Sequence, residues 1–300
     1  MFVCRLRHVG GKRAGQAALM GVIPWLEFIF KRFFMPTWLM YVVYAVIFLL
    51  SSTALFFFSL TRGALILRSV SGRSGHDAAH IYPLYSDMWL IKLVDFQPLI
   101  AAILLFQYDR LVSIITHGLG RMSLTDKKVL ITSCAFGNVI PRVVKAAVEA
   151  GVQRVLIADI IKNELVNAQE KLSEYTGKLE FLEENAIAMK QADASVAANV
   201  IFFLLHELPH PLKGEALKEA VRVLAPGGQL FLAEFHRPDF WVLRALSWTY
   251  FKVFEPLGLA LWSTHDPLKQ LEAMDGISCQ RRTVFFGNFQ VIVATKNAAL

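Results

Sequence analysis

Leu224-Ala-Pro-Gly-Gly-Gln-Leu-Phe-Leu-Ala-Glu234 decides the fold of this 300-residue chain, because it joins a helix end, a tight turn and a buried strand in one fixed order. Upstream of the turn, Ala216, Leu217, Ala220, Val221 and Leu224 have the spacing of an amphipathic helix, which Pro226-Gly227-Gly228 cannot continue. The chain then enters an unbroken apolar run. Asn199 to Leu205 (NVIFFLL) is another, ending in His206-Glu207, and Arg154 to Asp159 (RVLIAD) is a third, ending in a carboxylate. Apolar runs without alternation mark parallel strands covered on both faces. In a doubly wound α/β sheet, ligands bind at the carboxyl ends of such strands. His206, Glu207, Glu234 and Asp159 therefore become candidates for function.

Lys128-Val-Leu-Ile-Thr-Ser-Cys-Ala-Phe-Gly-Asn138 reads as a strand followed by a loop of small residues. The backbone N–H groups of such a loop can approach an anionic group, and an acid one βα unit later, here Asp159, can accept hydrogen bonds from ribose hydroxyls. Near the end of the chain, residues 281–296 split at Gly287-Asn288 into two apolar runs, the pattern of an antiparallel hairpin. Taken in order from Thr125 to Lys296, these features resemble the class I S-adenosylmethionine (SAM)-dependent methyltransferases. The resemblance implies a doubly wound, mostly parallel seven-stranded sheet that binds SAM. It puts Ser133, Ala135 and Gly137 in the three places of a GxGxG loop, Asp159 on the ribose, and Asn185-Ala186 beside the adenine.

The segments SCAFGN, FFLLHELP, FHRPDFW and FEPLGLALW resemble, more narrowly, the rhodoquinone-biosynthesis branch of methyltransferase-like proteins. That branch implies SAM as an amino-group donor, with a divalent metal such as Mn2+, turning ubiquinone into rhodoquinone. The alternatives are conventional methyl transfer to a quinone precursor or another lipid, and a non-catalytic membrane-anchored protein of the same fold. Between Met88 and Pro98 (MWLIKLVDFQP) the chain departs from the branch, which ends this segment in His-Pro. At strand ends a histidine can act as acid or base, and a carboxylate can hold a cation. His206, Glu207 and His236 are thus the expected catalytic residues, and Glu207, Glu234 and His236 the expected metal ligands. His76, His80, His117 and His210 read as surface. Phe240, Trp241, Trp248, Tyr250, Phe251, Phe254 and Trp262 follow the fifth strand, where this fold builds a substrate cap.

Between Arg32 and Arg62 there is no charged side chain, and residues 38–60 are almost wholly apolar. At about 1.5 Å per helical residue this exceeds the roughly 30 Å hydrocarbon core of a bilayer. Residues 19–34 read as an interfacial approach to that span, and residues 69–79 as a linker. The expected division is a membrane-anchoring segment over 1–74, a helical lid and linker over 75–124, and a SAM-binding domain over 125–300. Charge counting leaves orientation open between a single span and a re-entrant pair with residues 88–106. Cys4, Cys134 and Cys279 are odd in number and far apart, which fits a reducing compartment. The net charge of +7 clusters beside apolar segments without a nucleic-acid-binding pattern, so anionic lipid rather than RNA or DNA is the expected partner. Together these readings describe a membrane-attached enzyme facing the cytoplasm, or the matrix of a mitochondrion, with a ubiquinone-like lipid substrate.

Overall fold

The computed structural model describes residues 36–58 and 88–298. The interfacial approach over 19–34, the linker over 69–79, Cys4, His76 and His80 lie outside the described residues. The chain divides into two units between Phe57 and Phe58.

In the first unit the described element is helix α1 (Thr37–Phe58), which has no acid in its first turn and no base in its last. Over Thr37–Phe56 its mean hydropathy is 2.1 and none of the window is buried. A helix apolar on every side and exposed on every side matches a lipid solvent better than water. Its 22 residues reach about 33 Å.

The second unit carries a single seven-stranded sheet in the order β3-β2-β1-β4-β5-β7-β6. Its strands are β1 (Lys128–Thr132), β2 (Arg154–Asp159), β3 (Leu179–Glu183), β4 (Val196–Phe202), β5 (Leu224–Phe235), β6 (Ile277–Val284) and β7 (Phe289–Lys296). The first five run parallel, and β7 is antiparallel to both β5 and β6. This is the expected doubly wound sheet with its closing hairpin. Alternate residues of one strand serve opposite faces: Val129, Ile131, Val200 and Phe231 pack in one apolar cluster, whereas Leu130, Ile201, Leu230 and Leu232 pack in the other.

Helices α2 (Met88–Val94), α3 (Gln97–Ile103), α4 (Tyr108–Gly120), α5 (Val139–Glu149) and α6 (Lys162–Lys171) precede β3. The helices over 88–120 pack onto the sheet. Val94, Ile100, Leu104, Tyr108, Leu111 and Ile115 belong to the same apolar cluster as β1 and β4. Residues 88–106, the partner segment in one of the two topologies left open for the apolar span, form two helices of 7 residues each, both with buried side chains and neither long enough alone to span a bilayer. Helices α7 (His210–Arg222), α8 (Trp241–Val253) and α9 (Pro267–Glu272), with a 3-10 turn over Pro256–Trp262, complete the unit.

Two local expectations are corrected. The helix before β5 ends at Arg222, and Leu224 already pairs with Val196, so Ala225 to Gly228 form a bulge within the strand rather than a turn before it. Gly227 takes φ +76° there, and a side chain on Gly228 would meet the carbonyls of Ala225 and Ala197. The fourth strand ends at Phe202, because Phe203 turns into the left-handed region with φ 55°.

Close approach of α4 to the sheet depends on Gly118, where a Cβ would overlap the ring of the fully buried Phe231. Gly118→Ala should destabilise the sheet unit by about 1–3 kcal/mol, read as a lower denaturant midpoint. Gly120→Ala, where a Cβ meets nothing within 4 Å, should not lower it.

Candidate active site

The loop after β1 keeps a glycine-loop backbone without its first two glycines. Ser133 sits at φ 77° and Gly137 at φ +82°, both in the left-handed region. Asp159, at the end of β2 and 7% exposed, holds the loop: its Oδ2 accepts from Cys134 N at 2.6 Å and its Oδ1 from Ile161 N at 2.8 Å. The Ser133 hydroxyl is a further partner. Burial pushes the Asp159 carboxyl up, while these donors pull it back. Asn185 follows β3, bridges to Ala188 and accepts from Ile187 N at 3.2 Å through its own side chain.

The far side of the loop is held by residues that the sequence pattern did not single out as site residues. Asp95 Oδ1 accepts from Gly137 N at 2.6 Å, and the Lys171 ammonium lies 2.8 Å from Oδ2. Gln97 Oε1 accepts from Asn138 N at 3.0 Å, and Lys171 also donates to the Gly137 carbonyl at 3.0 Å. Tyr108 and Gln97 crowd Gly137 so closely that a Cβ there would meet both. Glu164, on the first turn of α6, is 3% exposed and its Oε1 has no hydrogen-bond partner. Burial first, and then the Asp159 charge, push it up to about 9, so it holds a proton at neutral pH. Glu164 and Lys171 lie seven residues apart, two turns of one helix, a spacing that could have flagged them once Asp159 was placed.

At the ends of β4 and β5 the structure brings His206, Glu207 and Glu234 together. Glu234 is fully buried; its Oε1 accepts from the His206 backbone N–H and from His206 Nδ1, each at 3.1 Å, and its Oε2 from Phe235 N at 2.8 Å. Glu207 Oε1 lies 3.9 Å from His206 Nε2. Burial lowers the imidazole, but the Glu234 charge and hydrogen bond, joined by Glu207 and Glu255, outweigh it and raise His206 to about 9. Lys213, another residue not singled out from sequence, is fully buried on α7 and donates to the carbonyls of Leu205 and Leu208. Burial lowers its ammonium to about 8. Rings of Phe203, Phe235 and Phe251 stack edge to face around the histidine, with Phe235 at 5.0 Å.

His236 lies apart from this group. Its Nδ1 donates to the Gly287 carbonyl at 2.6 Å, and its Nε2 faces Arg281 Nη1 at 3.4 Å, with Arg281 also paired to Asp266. Burial and then the neighbouring guanidinium keep His236 below its ordinary value, outweighing the Gly287 bond. His117 bonds Ser113, and His210 stacks on His265 at 5.4 Å.

Residues 99–269, more than half of the chain, match the ubiE/COQ5 methyltransferase family. The chain belongs to that family. Among curated proteins it is similar to a ubiquinone/menaquinone biosynthesis C-methyltransferase of Bartonella henselae, 29% identical over 56% of this chain and 65% of that one. It is also similar to a demethylmenaquinone methyltransferase of Bacillus licheniformis, 31% identical over 41% of this chain and 51% of that one. The chain thus spans less than two thirds of the length of either relative. Among solved structures, the YcgJ protein of Bacillus subtilis shares the fold at a TM-score of 0.51 and 13% identity, over 64% of this chain and all of that one. An O-methyltransferase family protein of Burkholderia thailandensis shares it at 0.51 and 14%, over 68% and 60%.

The residues present fit the family's SAM. The loop N–H groups of Gly137 and Asn138 already accommodate a carboxylate and an amide oxygen from Asp95 and Gln97, chemistry that a bound amino acid carboxylate would share. The unpartnered oxygen of the buried Glu164 leaves a polar group for a bound cofactor to meet. The expected metal set of Glu207, Glu234 and His236 does not form. Among the described residues no group of three or more His, Cys, Asp or Glu side chains is placed to hold an ion, and a guanidinium rather than open space faces His236 Nε2.

Two outcomes follow from these contacts. Asp159→Asn keeps the shape but loses the charge on the loop N–H groups, so SAM affinity by calorimetry should fall roughly tenfold to a hundredfold, about 1.5–3 kcal/mol; undiminished affinity would remove Asp159 from the site. His206 is raised from 6.5 to about 9 in the fold, so its pairing with Glu234 adds stability that is complete below pH 6.5 and lost as pH rises through about 9. The gap in denaturant midpoint between the native chain and His206→Gln should therefore narrow steadily across that window.

Proposed function

We propose that this protein is a membrane-attached, SAM-dependent enzyme that modifies a lipid quinone, and that its reaction is the formation of rhodoquinone from ubiquinone with SAM as group donor. The observation that carries the reading is the buried His206 just after β4, held by Glu234 inside an aromatic wall and one strand away from the loop that receives the cofactor. Membership of the family, and the quinone biosynthesis named for its relatives, support the substrate class. The exposed apolar helix α1 supports a lipid-borne one.

In this reading residues 1–74 anchor the chain, residues 75–124 cover the cofactor loop, and residues 125–300 bind and react, facing the cytoplasm. SAM, when bound, supplies the transferred group. Ser133, Ala135 and Gly137 shape the loop around it, Asp159 accepts from the ribose, and Asn185 meets the adenine. His206 Nε2 would hydrogen-bond a quinone carbonyl oxygen and polarise the ring, Glu234 holds Nδ1 so that the imidazole faces the substrate, and Glu207 lies 3.9 Å from Nε2 on the same side. His236, kept neutral and aimed by Arg281, lines the rim. Gly258 packs directly on the Phe251 ring and near His206 Cβ, so the turn over Pro256–Trp262 closes against the aromatic wall beside the histidine.

A positioned acid contributes about 10²–10⁴-fold to turnover. His206→Ala should reduce turnover within that range while leaving SAM affinity within a few-fold of the native value, the pattern of a group that acts in the transition state. Mass spectrometry of the lipid quinones decides the transferred group. An amino-substituted product supports rhodoquinone formation, and a methylated one assigns the chain to conventional methyl transfer.

A further inference from the structure

We propose that α8 and the tip of the β6–β7 hairpin form an interfacial face that lies on anionic lipid, a membrane contact separate from the anchoring helix. Of the thirteen residues of α8, only Phe251 is buried. Trp241 is 73% exposed, Leu246 64%, Trp248 49% and Phe286, at the hairpin tip, 67%. The two elements meet: the Phe240 ring is 6.5 Å from Trp241 and 6.2 Å from Phe286, and Asp239 N donates to the Phe286 carbonyl at 2.8 Å. Large aromatic side chains held together in water cost free energy that an aqueous surface does not return, and such patches mark interaction sites.

The occupant follows from charge. Trp241, Ala245, Trp248 and Lys252 recur every three to four residues along one side of α8 and share an open cleft of about 740 Å³ with Arg237, Arg244 and Trp262. Lys252 Nζ lies 5.5 Å from the centroid of the Trp248 ring, a cation set over an aromatic face at the edge of the cleft. Arg244 bonds the carbonyls of Pro238 and Asp239, which hold it in place without neutralising it. Helix α8 contains no Asp or Glu. Tryptophans interleaved with cations on one side of a helix match the boundary between anionic headgroups and acyl chains. The same chain carries α1, 22 residues without a charge that already call for a bilayer, so a weak second contact is made effective by tethering. This inference does not depend on which lipid is the substrate.

The test uses the full-length chain in nanodiscs, with tryptophan emission quenched by brominated phosphatidylglycerol. We expect the quenched part of the emission to fall in Trp241→Phe/Trp248→Phe, and to fall in the native chain when brominated phosphatidylcholine replaces the anionic lipid. Arg244→Glu/Lys252→Glu should produce the same loss with all six tryptophans in place. Quenching unchanged in the double tryptophan variant would overturn the contact. Equal quenching of the native chain in both lipids would overturn its preference for anionic lipid, as would a cleft whose emission responds to inorganic phosphate instead.

Discussion

The Glu234 carboxylate has no solvent access, and everything at the ends of β4 and β5 is arranged around it. Removing a carboxylate from water costs several kcal/mol unless its lone pairs are met. Here they are met by the backbone N–H groups of His206 and Phe235 and by the His206 ring. The segment after β4 therefore has one place to go. Lys213 secures the same segment from the helix side through the carbonyls of Leu205 and Leu208. A single histidine is thus fixed in position by a buried anion on one strand and a buried cation on a helix, which sets the direction of its ring.

A second pair of carboxylates does for the cofactor loop what glycines do elsewhere. A left-handed residue with a side chain costs roughly 1–2 kcal/mol, which is why glycine is usual at such places. Ser133 adopts that conformation nonetheless, and its strain is offset by Asp159, which gathers the Cys134 N–H and the serine hydroxyl on one side chain. Across the loop, Asp95 occupies the Gly137 N–H with Lys171 as its counter-ion. The loop is consequently a shape maintained by charge as much as by small residues.

Much of this was written in one dimension. The strands and their order were legible because buried parallel strands are continuous apolar runs, and the hairpin because Gly287-Asn288 interrupts two of them. Asp159, His206 and Glu234 were legible as polar groups at strand ends because each directly follows or closes an apolar run. The long apolar helix was legible because a charge-free stretch is a local property. The bulge at Pro226 was read as a simple turn, since nothing local says whether a strand resumes its pairing on the other side.

Sequence by itself determined the fold class, the cofactor loop's position, the strand ends and the apolar span, all of which follow from periodicity and local backbone chemistry. Only the tertiary structure decided that residues 88–120 join the core, that Asp95, Glu164, Lys171 and Lys213 line or hold the site, and that His236 turns to Arg281 instead of Glu234. It also decided that the tryptophans of α8 face outward beside cations. Each of these depends on which distant residues come within a few ångströms, and on whether a charge finds its partner before water does. Neither condition is carried by spacing along the chain.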